Sequence, residues 1–278
     1  MLLSTRIIAT NEVTWATAGG SLSADDAPLT DRAPASRVAL TWANGSQTSS
    51  TTVGLIATCD VTPRVIAMLG TDLPAGLKIE LWGQRTSDAS PTYALGGNSL
   101  TQTITTFTDG SRGAWWALDD GLGPLEKLEL RLYNDISGST ALAASQELHI
   151  GEIVIAEAIA IDSEADWTFA HQDPSTVRRT LAGQTDRVPR TGYRTLTFTP
   201  AYGDDAAVRA GGLDGTDWDH VLANLRANPY CLAIPRHSTA ADVQKTAIFG
   251  IATKIPDIAH QAGPIYQPSA ITIEEIPA

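Results

Sequence analysis

Five histidines, His149, His171, His220, His237 and His260, are the first candidates for chemistry, as metal ligands or as general bases near neutral pH. No two of them stand at HxH, HxxH or HExxH spacing, the intervals that bring two imidazoles to one ion. The chain has no G-x-S-x-G elbow for a nucleophilic serine, no G-x-x-x-x-G-K-[ST] phosphate loop and no G-x-G-x-x-G turn. Three aspartate pairs remain: Asp25–Asp26, Asp119–Asp120 and Asp204–Asp205. Calcium needs several oxygens converging from a tight loop. Glycoside hydrolysis needs two carboxylates facing each other across a groove. Adjacent aspartates meet neither requirement by themselves, and all three pairs read as turns. No catalytic residue, metal ligand or cofactor is therefore expected, and the protein reads as a non-enzyme.

Binding chemistry is a different matter. Trp42, Trp82, Trp115 and Trp116 fall in one stretch of the chain. An exposed indole can stack on the apolar face of a sugar, whereas a buried one supplies core area. Trp115 and Trp116 are adjacent, so in a strand one points inward and the other outward. They are the candidates for glycan contact. Arg178, Arg179, Arg187 and Arg190 form the only local basic cluster. It reads either as a solvated linker or as an interface segment that pairs with acidic neighbours.

The totals limit the partners. The net charge is −12, with 19 basic against 31 acidic residues, which excludes a protein that grips nucleic acid through its phosphates. Such a charge suits solubility or docking onto a basic partner. The longest apolar run, Ile153 to Ile161, contains Glu157 and is too short to span a bilayer. The segment MLLSTRIIATNEV lacks a basic region followed by a long apolar one, so no signal peptide is expected and the chain reads as soluble and made in a cytoplasm. Cys59 and Cys231 are too few for a disulfide framework; they read as two buried reduced thiols, with pairing as the alternative.

The elements that must position these residues are strands. Thr and Ser are frequent, and with 23 Gly and 15 Pro the composition points to an all-β protein with many turns. Residues 1–36 read as a first strand near Ile7 followed by an arm or loop over Ala24–Ser36. Residues 37–157 hold about eight short strands, the pattern of a two-sheet jelly-roll sandwich. Two of them flank a loop from Gly70 to Gly76: the apolar run Val65–Leu69, and an alternating run through Leu77, Ile79 and Leu81. Gly76 permits positive φ in that loop. Leu128, Leu130 and Leu132 alternate with Glu129 and Arg131 in another strand. Gly151 marks a bulge or a close backbone approach. Residues 158–190 read as a linker. Residues 191–278 form a second small β-barrel or sandwich with one short helix over 217–227, where Trp218, Val221, Leu222 and Leu225 recur at helical spacing behind a cap at Thr216 or Asp217. Strands follow at 230–234, 247–251 and 270–276.

The first sandwich resembles the galactose-binding-like, discoidin-type jelly roll found in phage tail proteins. The resemblance rests on PRVIAMLGTDLPAGLKIELWG (63–83), LEKLELRLYND (125–135) and ELHIGEIVI (147–155). Within these, Gly70-Thr71-Asp72-Leu73 and Ile150-Gly151-Glu152-Ile153 carry the pattern. The remainder, with KTAIFGIATKI (245–255) and SAITIEEIP (269–277), is similar to the distal tail and baseplate proteins of long-tailed phages. The resemblance implies a structural virion protein of the tail tip, assembled in the host cytoplasm. It implies self-association into a ring, with other tail proteins as neighbours. The alternative is a carbohydrate-binding protein that recognises a host glycan through the jelly roll.

Overall fold

The computed structural model describes residues 1–22, 29–42, 53–85, 88, 101–107, 109–119, 122–132, 138–140, 142, 147–179, 184–260 and 265–277. Asp25, Asp26 and Asp120 lie outside them. The protein is all-β, built from antiparallel sheets with three short helices among the described residues. It divides into two compact units. The first comprises residues 2–159 and 234–247, and the second residues 160–233 and 248–277.

The first unit holds strands β1 (Leu2–Ile7), β2 (Thr14–Ala18), β3 (Gly20–Leu22), β4 (Val38–Trp42), β5 (Val53–Val61), β6 (Val65–Leu69), β7 (Lys78–Gln84), β8 (Thr101–Thr103), β9 (Thr105–Thr106), β10 (Arg112–Ala117), β11 (Leu125–Leu132), β12 (Leu148–Ile150) and β13 (Ile153–Ala160). One row runs β1-β13-β6-β10-β9, a second β2-β5-β11-β7-β8, and a short third β12-β4-β3. Alternation aims every second side chain into a single core. Ile66, Met68, Ala114, Trp116, Ile153 and Ile155 come from the first row, and Leu55, Ala57, Ile79, Leu81, Leu128 and Leu130 from the second. The strands on either side of the Gly70–Gly76 loop do not pair with each other. β6 lies between β13 and β10, whereas β7 lies between β11 and β8, so the loop crosses from one sheet to the other. The first strand expected near Ile7 is β1, and two more follow it: β2 pairs with β5 and β3 with β4.

The second unit holds β14 (Ser163–Gln172), β15 (Thr176–Arg179), β16 (Thr185–Val188), β17 (Tyr193–Pro200), α1 (Asp205–Arg209), α2 (Trp218–Ala227), β18 (Tyr230–Ile234), β19 (Ile248–Lys254), β20 (Ile258–His260), β21 (Tyr266–Pro268) and β22 (Ile271–Glu275). A third helix, α3 (Ala240–Thr246), belongs to the first unit. The main row is β14-β17-β22-β19-β18, and no row closes into a barrel among the described residues. Helix α2 forms where its apolar stripe predicts. Asp217 is its cap, accepting the His220 N–H at 3.0 Å, and Trp218, Val221, Leu222 and Leu225 are all buried. The expected linker at 158–190 is instead a strand and a two-stranded ribbon. β14 pairs with β17 over Trp167 to Gln172, with Trp167 and Phe169 edge-on to each other at 5.4 Å. An edge strand exposes much of its length, so its sequence lacks the regular apolar alternation that marks an inner strand.

Candidate functional site

Trp115 and Trp116 do point to opposite faces of β10, but neither reaches solvent: they are 2% and 0% exposed. Trp116 fills the core of the sandwich. Trp115 points away from that core, and the Gln244 side chain of α3 closes the edge of β10 beside it. Gln244 of α3 accepts the Trp115 N–H at 3.2 Å and donates from Nε2 to the Trp115 carbonyl at 2.8 Å. A second Nε2 hydrogen bond reaches Gln102 Oε1 at 3.3 Å. The expected stacking platform is thus buried, and a helix more than a hundred residues further along the chain completes the edge of its strand. Trp82 is half-buried, and the guanidinium of Arg131 lies 3.9 Å above its ring. That face is taken as well.

The Gly70–Leu73 and Ile150–Ile153 motifs come together as one latch. Asp72 N–H donates to the His149 carbonyl at 3.1 Å, Thr71 Oγ1 donates to the same carbonyl at 2.8 Å, and Leu69 N–H donates to the Glu152 carbonyl at 2.8 Å. The Asp72 carboxylate takes the His149 N–H at 2.8 Å and faces His149 Nδ1 at 2.6 Å. Glu147 stands 3.6 Å from His149 Nε2. Beneath lies Glu152, fully buried, which accepts Arg32 N–H at 2.7 Å and Nη1 at 3.1 Å. Arg32 in turn donates from Nη2 to the carbonyls of Ile7 and Ile8. Burial pushes the Glu152 carboxyl up to about 7 against the pull of Arg32. Gly70 (φ +68) and Gly151 leave room for the Pro34 carbonyl, which a β-carbon at either position would strike. Residues 29–36, expected as part of a loose arm, are therefore a strap held by Glu152 and seated on two glycines.

Beside α3 the first unit has a cavity of about 300 Å3, lined by Arg64, Gln102, Asp119, His237, Ser238 and Thr239 with an apolar side at Leu118 and Val243. Burial holds the His237 imidazole below the usual histidine range. Sequence reasoning missed this cavity because it missed α3. The signal was present as Thr239-Ala240-Ala241-Asp242, a capping pattern ahead of Val243 and Ala247. Thr239 Oγ1 accepts the Asp242 N–H at 3.1 Å and donates to its carboxylate at 2.8 Å. The Asp204–Asp205 pair, expected as a turn, likewise begins a helix: Asp204 caps α1 by accepting the Ala207 N–H at 2.9 Å.

The four arginines lie on or beside the β15–β16 ribbon. Its register sets Thr176 opposite Val188, Val177 opposite Arg187, Arg178 opposite Asp186 and Arg179 opposite Thr185. Every residue of both strands is exposed, Val177 to 60% and Val188 to 46%. Arg187 reaches Asp173 at 2.5 Å, and the Arg190 N–H donates to Ser175 Oγ at 3.0 Å, which ties the base of the ribbon. Arg178 and Arg179 stand further along it. Opposite residues share a face, so Val177, Arg179, Thr185 and Arg187 form one side, and Thr176, Arg178, Asp186 and Val188 the other.

Among the described residues no group of three His, Cys, Asp or Glu side chains is placed to hold a metal, and no helix is long and apolar enough to cross a membrane. Both cysteines are free and buried, and burial raises Cys59 to about 11 and Cys231 to about 12. Neither a protein-family model nor a curated protein sequence matches the chain.

Proposed function

We propose that the protein is a structural, non-catalytic component of the tail tip or baseplate of a long-tailed bacteriophage, where its copies assemble into a ring and dock neighbouring tail proteins. The observation that carries this reading is the β15–β16 ribbon. A two-stranded ribbon with both faces in water is marginal by itself, and this one presents two large apolar side chains and a row of arginines. Such a surface gains stability when a partner covers it. The motif resemblance adds support: the residues behind it build the latch and strap, which is scaffold work rather than catalysis. Negative-stain electron microscopy and sedimentation velocity of the purified chain test the proposal. Rings are expected, as is a coding sequence flanked by those of a tape-measure protein and a tail hub. A stable monomer at every concentration, with no such neighbours, rejects it.

A second reading, recognition of a host glycan by the jelly roll, no longer rests on Trp115 and Trp116. It rests on the cavity beside α3, where donors, acceptors and an apolar wall converge as a sugar requires. Titration with a panel of host polysaccharides, against a His237→Ala control, tests it. Binding that the substitution abolishes supports it, and no binding to any of them removes it.

A further inference from the structure

The second unit carries an open cleft of about 560 Å3. Asp162, Asp204 and Asp214 line it, all on exposed residues, together with Leu213 and with Tyr202, whose side chain is largely in solvent. No Lys, Arg or His is among its lining residues, and the cation beside it is the Met1 ammonium, which donates to the Ile161 carbonyl at 3.1 Å and is attracted by Asp162. Asp204 gives one oxygen to the Ala207 N–H and Asp214 one to the Ala160 N–H at 3.3 Å. A carboxylate accepts about four hydrogen bonds, so acceptor capacity remains at both. Carboxylates set around an exposed phenol ring suit one ligand chemistry above others. A guanidinium offers a planar fork of donors to the carboxylates and a flat face to the ring.

The chain also supplies that ligand. Residues 173–190 hold four arginines against two aspartates in a protein of net charge −12. The two faces of the ribbon are not equivalent. On the side with Val177, Arg179 and Arg187 the acid is Asp173, held by Arg187 at the base of the ribbon, whereas the side with Arg178 carries Asp186 within the ribbon itself, which an acidic cleft would repel. We infer that the Val177–Arg179–Arg187 face of one copy docks in the acidic cleft of the next, with Arg179 entering between the carboxylates and Val177 covering the apolar wall. The inference rests on the assembly reading above and gives that assembly its contact. Ribbon and cleft are different surfaces, so the contact is head-to-tail. It closes into a ring where the rotation between copies permits, and otherwise propagates as a filament.

Two broken chains test it. An Arg179→Glu/Arg187→Glu chain keeps its cleft but loses its ribbon. An Asp162→Lys/Tyr202→Ala chain keeps its ribbon but loses its cleft. Circular dichroism checks that both are folded, and native mass spectrometry reads their state. Each alone is expected to be monomeric under conditions where the wild type assembles. Their mixture is expected to form 1:1 dimers and stop there, because only one intact ribbon and one intact cleft remain. Arg178→Glu, on the other face, is expected to assemble like the wild type. If the wild type assembles but the mixture stays monomeric, or either broken chain assembles undiminished, the docking inference is overturned and the assembly reading stands. If the wild type never leaves the monomer, the assembly reading falls and takes this contact with it.

Discussion

Glu152 is the residue on which the N-terminal strap turns, and its chemistry predicts a pH dependence. Its carboxyl sits at about 7 in the folded chain against an ordinary 4.5. The folded state therefore holds this proton more tightly than the unfolded chain does. Stability contributed by the protonated group is present below pH 4.5 and is lost as the pH rises toward 7. Arg32 and Asp31 are the charges that act on it. Glu152→Gln, which cannot ionise, is expected to flatten that slope in urea unfolding midpoints measured across the range. An unchanged slope would assign it to another group. Gly151→Ala tests the same place sterically. The new methyl would strike the Pro34 carbonyl and lie 2.7 Å from the Leu69 carbonyl, both backbone atoms. A loss of about 3 kcal/mol is expected by chemical denaturation, as for overpacking at a site that cannot relax. Sequence reading found that Gly151 permits a close backbone approach. It could not name Pro34 as the partner, since nothing in a local pattern links residues more than a hundred positions apart.

At the scale of elements, helices divide into those that announce themselves and those that do not. α2 was legible because ten residues suffice for an apolar stripe, with a cap in front and Pro229 behind. α3 has seven residues and only Val243 and Thr246 buried, too little for a periodic signal. Its consequence is large all the same, since it closes the edge of β10 at Trp115 and walls the cavity beside His237. Gln244→Ala removes its bonds to the Trp115 backbone and to Gln102. It is expected to cost about 1–3 kcal/mol, because buried polar groups lose their partners. Hydrogen exchange at the Trp115 amide should speed up as that edge opens to water. An unchanged exchange rate would mean that packing by Val243 alone holds the helix in place.

At the scale of the whole molecule, charge decides how copies meet. Opposite charges on exposed surfaces attract over about 10 Å at moderate salt and over far less near molar salt. Assembly through the ribbon and the acidic cleft is thus expected to weaken as salt is raised, seen as a fall in sedimentation coefficient. An apolar contact would strengthen instead. The amino-acid sequence alone determined the all-β class, the strands at 65–69, 125–133 and 230–234, the α2 stripe, and the absence of recognised catalytic spacings. These depend on periods of two and 3.6 residues and on residue type, which are local. Only the tertiary structure decided that β6 and β7 belong to different sheets, that residues 234–247 belong to the first unit, and that Trp115 is covered. It also turned the expected linker into an exposed ribbon and gathered three aspartates from separate loops into one cleft. The physical reason is the same each time. Burial and exposure are set by what packs against a segment from far along the chain, and a local pattern holds no record of that neighbour.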